Sequence, residues 1–212
     1  MYNQSAMEAL MKNLFFFDID TQNDFMLKTG ALYVTGAERI VPKLRRLFDF
    51  AAKNEISVIS TMDTHSADDP EFAEFPPHCV KGTAGWRKLD DTSFPRPLIF
   101  TTTPVDRNLS DCARKNRQII VEKNTFDVFS NPVMERLTRA LPPRAVVFGV
   151  ATEYCVKKAV LGLRRLNIQT VVVDDAIRAI TPKTEKEAIA EMKAAGATFV
   201  PLADILNPAA LS

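Results

Sequence analysis

Several features typical of membrane, secreted and nucleic-acid-binding proteins are missing from this 212-residue sequence. No apolar run is long enough to cross a bilayer, and the N-terminus lacks a basic start followed by a long apolar stretch. The chain has only three cysteines, Cys79, Cys112 and Cys155, and no CxxC pair, which argues against a disulfide framework. The sequence therefore predicts a cytoplasmic protein with free thiols, any one of which could be catalytic.

An excess of either charge is also missing, because 27 lysines and arginines are balanced by 26 aspartates and glutamates. A balanced chain offers no broad basic surface for nucleic acid or for an anionic membrane. We therefore expect neither of these partners and favour a small molecule. The length and the hydrophobic content of 46% suit one core, which predicts a single domain over residues 1–212.

Short apolar runs alternate with longer amphipathic segments along the chain. The strand candidates are residues 14–19, 56–61, 97–101, 118–122, 145–150, 169–174 and 198–202. The helix candidates are residues 37–54, 133–141, 153–167 and 184–196, and the last of these opens on a capping box of Thr184 and Glu187. Repeated strand and helix units need crossover connections, so the pattern predicts a mainly parallel sheet between two helical layers, an α/β/α fold.

Polar side chains follow several of these strands. In open parallel sheets, ligands bind beyond the carboxyl ends of the strands. The residues at those ends are Asp20 after the first strand, Asp63 and His65 after the second, Lys123 after the fourth and Cys155 just after the fifth. We expect these five side chains to meet on one rim of the sheet.

Cys155 is the candidate nucleophile of this rim. A thiol has an ordinary pKa of about 8.5 and needs activation, which the start of a helix, a cation at Lys123 and a proton acceptor at Asp20 could provide. The backbone N–H groups of Ala151 and Cys155 could form an oxyanion hole. The alternatives are a buried structural thiol, a capping aspartate and a solvated lysine. Joint placement on one rim favours the catalytic interpretation.

The segment of residues 62–83 contains both histidines of the chain, His65 and His78, among several carboxylates. Asp63 and His65 are two residues apart at a strand end, so their side chains leave an extended backbone on the same face. Nitrogen and oxygen ligands of this kind are typical of a divalent metal site. The alternative is an ordinary solvated acidic loop.

Three motifs carry these residues: DIDTQNDFM at 18–26, EKNTFDVF at 122–129 and GVATEYCV at 149–156. Together they resemble the isochorismatase-like cysteine hydrolase superfamily, and within it the nicotinamidase-related amidases, over residues from about 14 to 202. The resemblance implies a roughly six-stranded sheet. It also implies a triad in which Cys155 is the nucleophile, Asp20 the general acid and base, and Lys123 the residue that stabilises thiolate and carboxylate.

Within the first motif, alignment with the family pattern selects Asp20 as the catalytic carboxylate. Asp18 and Asp24 are then non-catalytic, and we expect Asp18 to be a buried or capping carboxylate. The family also has a cis peptide in the third motif, which here would join Val150 to Ala151.

The resemblance further implies that Asp63, His65 and His78 are metal ligands. Glu71 is the candidate for a fourth ligand, and Glu74 is the alternative. Zinc is the leading choice of metal, while iron and manganese accept the same nitrogen and oxygen ligands.

Two phenylalanines correspond to the walls that hold the substrate ring in the family. Phe25 matches one wall, and Phe75 stands where relatives commonly have tryptophan. For both residues, plain core packing is the alternative.

The sequence thus predicts a metal-containing cysteine amidohydrolase whose best substrate candidate is nicotinamide, converted to nicotinate and ammonia through a Cys155 thioester. One alternative is a metal-independent hydrolase of another small amide, carbamoyl or ureido compound in the same superfamily. Another is a non-catalytic member that binds a small ligand. The resemblance also implies a homo-oligomer, either a dimer or a tetramer.

Overall fold

Largely apolar segments form the strands of a seven-stranded parallel sheet in the computed structural model, which describes residues 11–207. The strands are β1 (Leu14–Ile19), β2 (Val58–Asp63), β3 (Leu98–Phe100), β4 (Gln118–Lys123), β5 (Arg144–Val150), β6 (Gln169–Arg178) and β7 (Thr198–Val200). Their order in the sheet is β3-β4-β2-β1-β5-β6-β7, and every neighbouring pair is parallel. The predicted fold class is confirmed. The number of strands is seven, where roughly six were expected, and the two edge strands, β3 and β7, have only three residues each.

Helices cover both faces of this sheet. They are α1 (Asn23–Met26), α2 (Val41–Lys53), α3 (Leu109–Lys115), α4 (Met134–Thr138), α5 (Lys157–Arg165), α6 (Pro182–Ala194) and α7 (Leu202–Leu206). None of the helices within residues 11–207 combines the length and the apolar character that a membrane span requires.

Alternation along β1 separates two hydrophobic cores. Phe15 and Phe17 point to the face covered by α3, α4, α5 and α6, whereas Phe16 points to the face covered by α2 and α7. All three rings are fully buried. A strand that is apolar on both faces can lie only in the centre of the sheet, which is where β1 is found.

Several predicted helix boundaries are wrong. The segment 37–54 is divided into a 3-10 turn, Ala37–Arg39, and α2. Thr181, not Thr184, caps the last long helix, because its side chain accepts a hydrogen bond from Thr184 N at 3.2 Å. The strand predicted for 198–202 ends at Val200, since the chain enters α7 directly after Pro201.

Two further outcomes concern α3 and the chain ends. The sequence pattern does not predict α3, whose seven residues are too few to show a helical period. The single-domain prediction also covers residues 1–10 and 208–212, which lie outside the described range. That prediction, the cytoplasmic location and the dimer or tetramer stay predictions.

Gly149 allows β5 to approach β1 closely at the carboxyl end of the sheet. It pairs with Ile19 in the parallel register, beside an irregularity in the pairing of β5 with β6. Its φ is +119°, and a Cβ added there would lie 2.1 Å from the carbonyl oxygen of Ile19. A side chain at residue 149 would therefore force apart the two strands that precede Asp20 and Cys155.

We expect the substitution Gly149→Ala to lower the free energy of unfolding by at least about 2 kcal/mol, because backbone strain and a steric clash add. Urea denaturation measures this loss. Gly82→Ala is the matched control, since Gly82 also has a positive φ, +87°, but a Cβ there would meet nothing within 4 Å. Equal losses in the two variants would show that the close approach of β1 and β5 is not the cause.

Candidate active site

Four neighbouring strands bring the candidate residues to one edge of the sheet. In the sheet, β2, β3 and β4 lie on one side of β1, and β5, β6 and β7 lie on the other, so the strand order reverses between β1 and β5. A crevice therefore lies beyond the carboxyl ends of these two strands. Asp20 follows β1, Asp63 ends β2, Lys123 ends β4 and Cys155 lies in the turn after β5. The structure therefore brings these four residues together at one rim, although they are far apart in the sequence.

Lys123 is the centre of a buried charge cluster. Its Nζ lies 2.8 Å from Asp20 Oδ2, 2.9 Å from Asp63 Oδ1 and 3.5 Å from Cys155 Sγ. All four residues are buried. Burial lowers the pKa of Lys123, but the two carboxylates outweigh this effect and raise it well above its ordinary value. The lysine therefore remains a cation in the interior.

Thr61 of β2 fixes the orientation of Asp20. Asp20 N donates a hydrogen bond to Thr61 Oγ1 at 3.1 Å, and the hydroxyl donates to Asp20 Oδ1 at 2.5 Å. Thr61 was not among the site residues predicted from the sequence. Its position two residues before Asp63 in a strand places both side chains on one face, and that spacing is the signal that could have found it.

Cys155 lies in a π-helical turn, Thr152–Val156, and not in the first turn of a regular helix. The turn follows a cis peptide between Val150 and Ala151, as the family resemblance implied. Within it, Val156 N donates to Ala151 O at 3.2 Å. Ala151 and Cys155, the residues expected to supply the oxyanion donors, line the same cavity.

The expected lowering of the pKa of the Cys155 thiol is not found in this structure. Burial raises that pKa well above its ordinary value, and the charges of Asp20 and Asp63 raise it further, although Lys123 acts in the opposite direction. A neutral thiol is therefore favoured here. Attack by sulfur then requires a base that accepts the proton in the same step.

Two histidines and two carboxylates form a second cluster beside the first, which we call the metal cluster: Asp63, His65, Glu71 and His78. Their four candidate ligand atoms all lie within 4.8 Å of one another. His65 Nε2 lies 3.0 Å from Asp63 Oδ2, and His78 Nε2 lies 3.4 Å from the same oxygen. Glu74, the alternative fourth ligand, is exposed and is not a member of the cluster. This nitrogen and oxygen donor set fits zinc, iron or manganese.

Three members of the metal cluster have pKa values that depart from their ordinary values. Burial opposes the charge of Asp63, but Lys123 and the two histidines hold the pKa of this carboxyl well below its usual range. Burial also disfavours the charged form of His65, yet the hydrogen bond and the charge of Asp63 raise its pKa to about 9. Burial and the neighbouring Asp63 raise the pKa of Glu71. A divalent cation would therefore compete with protons at His65 and Glu71.

A cavity of about 130 Å³ connects the metal cluster with the nucleophile. Asp63 and His78 line it on one side, and Ala151 and Cys155 line it elsewhere. Most of the remaining lining is apolar. The cavity therefore suits a small, flat molecule that presents a polar group to the thiol.

Aromatic side chains form much of the cavity wall. Phe25 and Phe75, the two predicted wall residues, have ring centroids 5.6 Å and 6.4 Å from that of His78. Phe126 and Tyr154, which were not predicted from the sequence, line the same cavity with their ring centroids 5.1 Å apart. Both lie within the motifs around Lys123 and Cys155, and their proximity to those residues is the signal that could have found them.

The QNDF segment anchors the polypeptide that carries the metal cluster. Gln22 Nε2 donates to Asp63 O at 2.8 Å, and Gln22 Oε1 accepts from Asp63 N at 2.7 Å. Asp24 Oδ2 accepts from Cys79 N at 2.7 Å. Gln22 thus fixes the backbone at Asp63, the first candidate ligand, and Asp24 fixes the backbone directly after His78. Asp24 lies outside the Lys123 cluster.

Asp18 belongs to a separate buried network. Its Oδ2 lies 2.6 Å from Lys88 Nζ and accepts a hydrogen bond from Ser60 Oγ at 2.8 Å. Thr21 Oγ1 donates to its Oδ1 at 2.8 Å. Asp18 is completely buried, which agrees with the expectation of a buried carboxylate at this position.

Comparison with known proteins gives a consistent set of relatives. The model of the isochorismatase domain family matches residues 15–204. The nicotinamidase of Escherichia coli is 27% identical, and the alignment covers 88% of this chain and 93% of that protein. The nicotinamidase/pyrazinamidase of Mycobacterium tuberculosis is 26% identical and covers 86% of this chain and 95% of that protein.

Solved structures show the same fold. The pyrazinamidase of Pyrococcus horikoshii in complex with zinc superposes with a TM-score of 0.74 at 24% sequence identity. The match covers 89% of this chain and 99% of that chain. The likeness therefore extends over nearly all of both molecules.

We expect Lys88→Met to lower the free energy of unfolding by about 3 kcal/mol, because Asp18 would be left as an unpaired buried charge. Chemical denaturation measures the loss. Lys115→Met is the control: Lys115 also faces a carboxylate, Asp111, but its side chain is 72% exposed, and surface pairs contribute at most about 1 kcal/mol. If Lys88→Met proved no more harmful than the control, the network would not be a major stabilising element.

Proposed function

The chain belongs to the isochorismatase family, and from this membership we propose that it is a cysteine amidohydrolase that converts nicotinamide to nicotinate and ammonia. The observation that carries the proposal is the position of Lys123 Nζ, which contacts both Asp20 and Cys155 beside a cavity of small-molecule size. A base, a cation and a nucleophile from three strands thus face one ligand space. The nicotinamidase relatives support an amide as the substrate.

The cavity supports a flat ring that carries a carboxamide. Aromatic side chains such as Phe25 and Phe75 can stack against a ring. His78 and Asp63 of the metal cluster lie on one side of the space, and the thiol of Cys155 lies in its wall. A ligand with a ring nitrogen directed to the metal cluster and an amide directed to the Cys155 thiol would use both polar ends of an otherwise apolar site.

In the first half of the reaction, Asp20 accepts the thiol proton while Cys155 Sγ bonds to the carboxamide carbon. The carbonyl π electrons move to oxygen, and the backbone N–H groups of Ala151 and Cys155 stabilise that oxyanion. When the carbonyl reforms, the C–N bond breaks and the proton on Asp20 passes to the leaving nitrogen, which departs as ammonia. A thioester on Cys155 remains.

In the second half, Asp20 accepts a proton from a water molecule as the water oxygen attacks the thioester carbon. The C–S bond then breaks, the acid product leaves, and the sulfur recovers a proton from Asp20. The charge of Lys123 stabilises negative charge on the carboxylate and on the sulfur in turn. Its raised pKa is consistent with a lysine that remains protonated throughout.

We further propose that Asp63, His65, Glu71 and His78 hold a divalent cation, with zinc as the leading choice. The buried donor set and the short distances between the ligand atoms support this assignment. The zinc complex of the Pyrococcus horikoshii relative makes zinc the first metal to test. A bound cation supplies a Lewis acid that can orient a ring nitrogen of the substrate.

We expect Cys155→Ala to lower the rate of ammonia release from nicotinamide at least about 10⁴-fold, because removal of a nucleophile removes the covalent pathway. A coupled ammonia assay measures the rate. Cys112→Ala is the matched control and should retain full activity, since Cys112 lies on α3 away from the cavity. Undiminished turnover by Cys155→Ala would overturn the thioester mechanism.

A panel of small amides, carbamoyl and ureido compounds tests the substrate in the same assay. Turnover of another compound with no turnover of nicotinamide would leave the amidohydrolase class standing and overturn the named substrate. Ligand binding without turnover of any compound would favour a non-catalytic member of the family.

We expect Glu71→Gln to weaken Zn²⁺ binding at least about tenfold, because one anionic donor of the cluster becomes neutral. Competition with a chromophoric chelator measures the affinity without any substrate. Glu74→Gln is the control, because Glu74 is a nearby exposed glutamate outside the cluster. Equal affinities of the two variants would remove Glu71 from the ligand set.

A further inference from the structure

We propose that Asp69 is a positioning residue that holds His65 in the orientation and tautomer required to bind the metal. The inference rests on the metal site of the proposed function and adds a residue that is not itself a ligand. The Asp69 carboxylate makes two contacts. Oδ2 lies 3.0 Å from His65 Nδ1, and Oδ1 accepts a hydrogen bond from Glu71 N at 3.0 Å.

The two ring nitrogens of His65 face different carboxylates. Nε2 points into the metal cluster, where it lies 3.0 Å from Asp63 Oδ2. Nδ1 lies 3.0 Å from Asp69 Oδ2 without a well-aligned hydrogen bond, and no other polar group within residues 11–207 is placed to bond this buried nitrogen. The His65 side chain has no exposed surface, so solvent does not supply another partner for Nδ1. Asp69 is therefore the group that can keep a proton on Nδ1 when the lone pair of Nε2 binds a metal.

A histidine binds a metal through one neutral nitrogen and usually donates its other N–H to a carboxylate or carbonyl oxygen. That second bond fixes the ring orientation and increases the basicity of the ligating nitrogen. The arrangement of Asp69, His65 and the metal cluster follows this pattern. The distances place both ends of the imidazole in hydrogen-bonding range of a carboxylate.

The same carboxylate also positions a second ligand. Asp69 is the N-cap of the 3-10 helix Pro70–Ala73, which carries Glu71 into the cluster. One oxygen thus holds the backbone of Glu71 while the other holds the ring of His65. The loop between the second strand and the last ligand is therefore organised around one side chain that does not touch the metal space itself.

The capping role and the histidine role can be separated by substitution. Asp69→Ser retains an oxygen that can cap the 3-10 helix, because serine is a favoured N-cap, but it removes the carboxylate oxygen opposite His65. We expect this variant to bind Zn²⁺ about 10- to 100-fold more weakly. Zn²⁺ affinity is measured by chelator competition. Asp68→Ser, at the exposed preceding residue, is the matched control and should bind Zn²⁺ normally.

A double-mutant cycle with His65→Ala tests whether Asp69 acts through His65. In the His65→Ala background, Asp69→Ser should cause no further loss of Zn²⁺ affinity, whereas a purely structural effect on the loop would persist there. Normal Zn²⁺ binding by Asp69→Ser, or an equal loss in both backgrounds, would overturn the inference.

These titrations use Zn²⁺ alone, so a failure of nicotinamide turnover leaves the inference standing. If the unsubstituted protein bound no Zn²⁺, both the metal assignment and the role of Asp69 would be overturned. If the unsubstituted protein bound Zn²⁺ and Asp69→Ser bound it equally well, the metal assignment would stand and the role of Asp69 would be overturned.

Discussion

The contact of one buried ammonium group with two carboxylates is the interaction on which the rest of the site depends. Lys123 lies between Asp20, on the side of the thiol, and Asp63, a member of the metal cluster. Moving three charges out of water costs several kcal/mol for each ion, and only close mutual pairing offsets that cost. The lysine therefore fixes the distance between the nucleophile side and the metal side of the cavity. Neither side can be rearranged without leaving a charge unpaired.

The strands around this ion cluster are held by a second layer of polar contacts. Gln22 bonds both backbone groups of Asp63, and Asp24 bonds the backbone after His78. Asp18 and Lys88 form a separate ion pair near the end of β1. Each of these contacts connects β1, or the segment that follows it, to chain from another part of the sequence. The catalytic geometry is thus supported by polar groups that do not contact the cavity chemistry, which is how a rigid site is maintained.

The sequence predicted the features that depend on pattern and on topology. Parallel strands with apolar runs place their carboxyl ends together, so Asp20, Lys123 and Cys155 could be assigned to one rim from the sequence alone. The state of the thiol could not be predicted, because its pKa depends on full burial and on how closely Asp20 and Asp63 approach. Asp69 was missed for a related reason. Its role depends on which nitrogen of His65 faces it, and a loop without periodicity carries no signal for that geometry.

The order of the strands also determines when the chemistry can arise during folding. Asp20, Asp63, Lys123 and Cys155 follow four different strands that must all be joined by crossover connections, and closing such long loops costs entropy before the contacts form. A chain with β1 and β2 paired would hold two facing carboxylates without their cation, which is an unfavourable arrangement. The arrival of β4 supplies Lys123, and β5 brings the thiol against it. A partly assembled sheet would therefore hold no working thiol, and chemical competence would report completion of the central sheet.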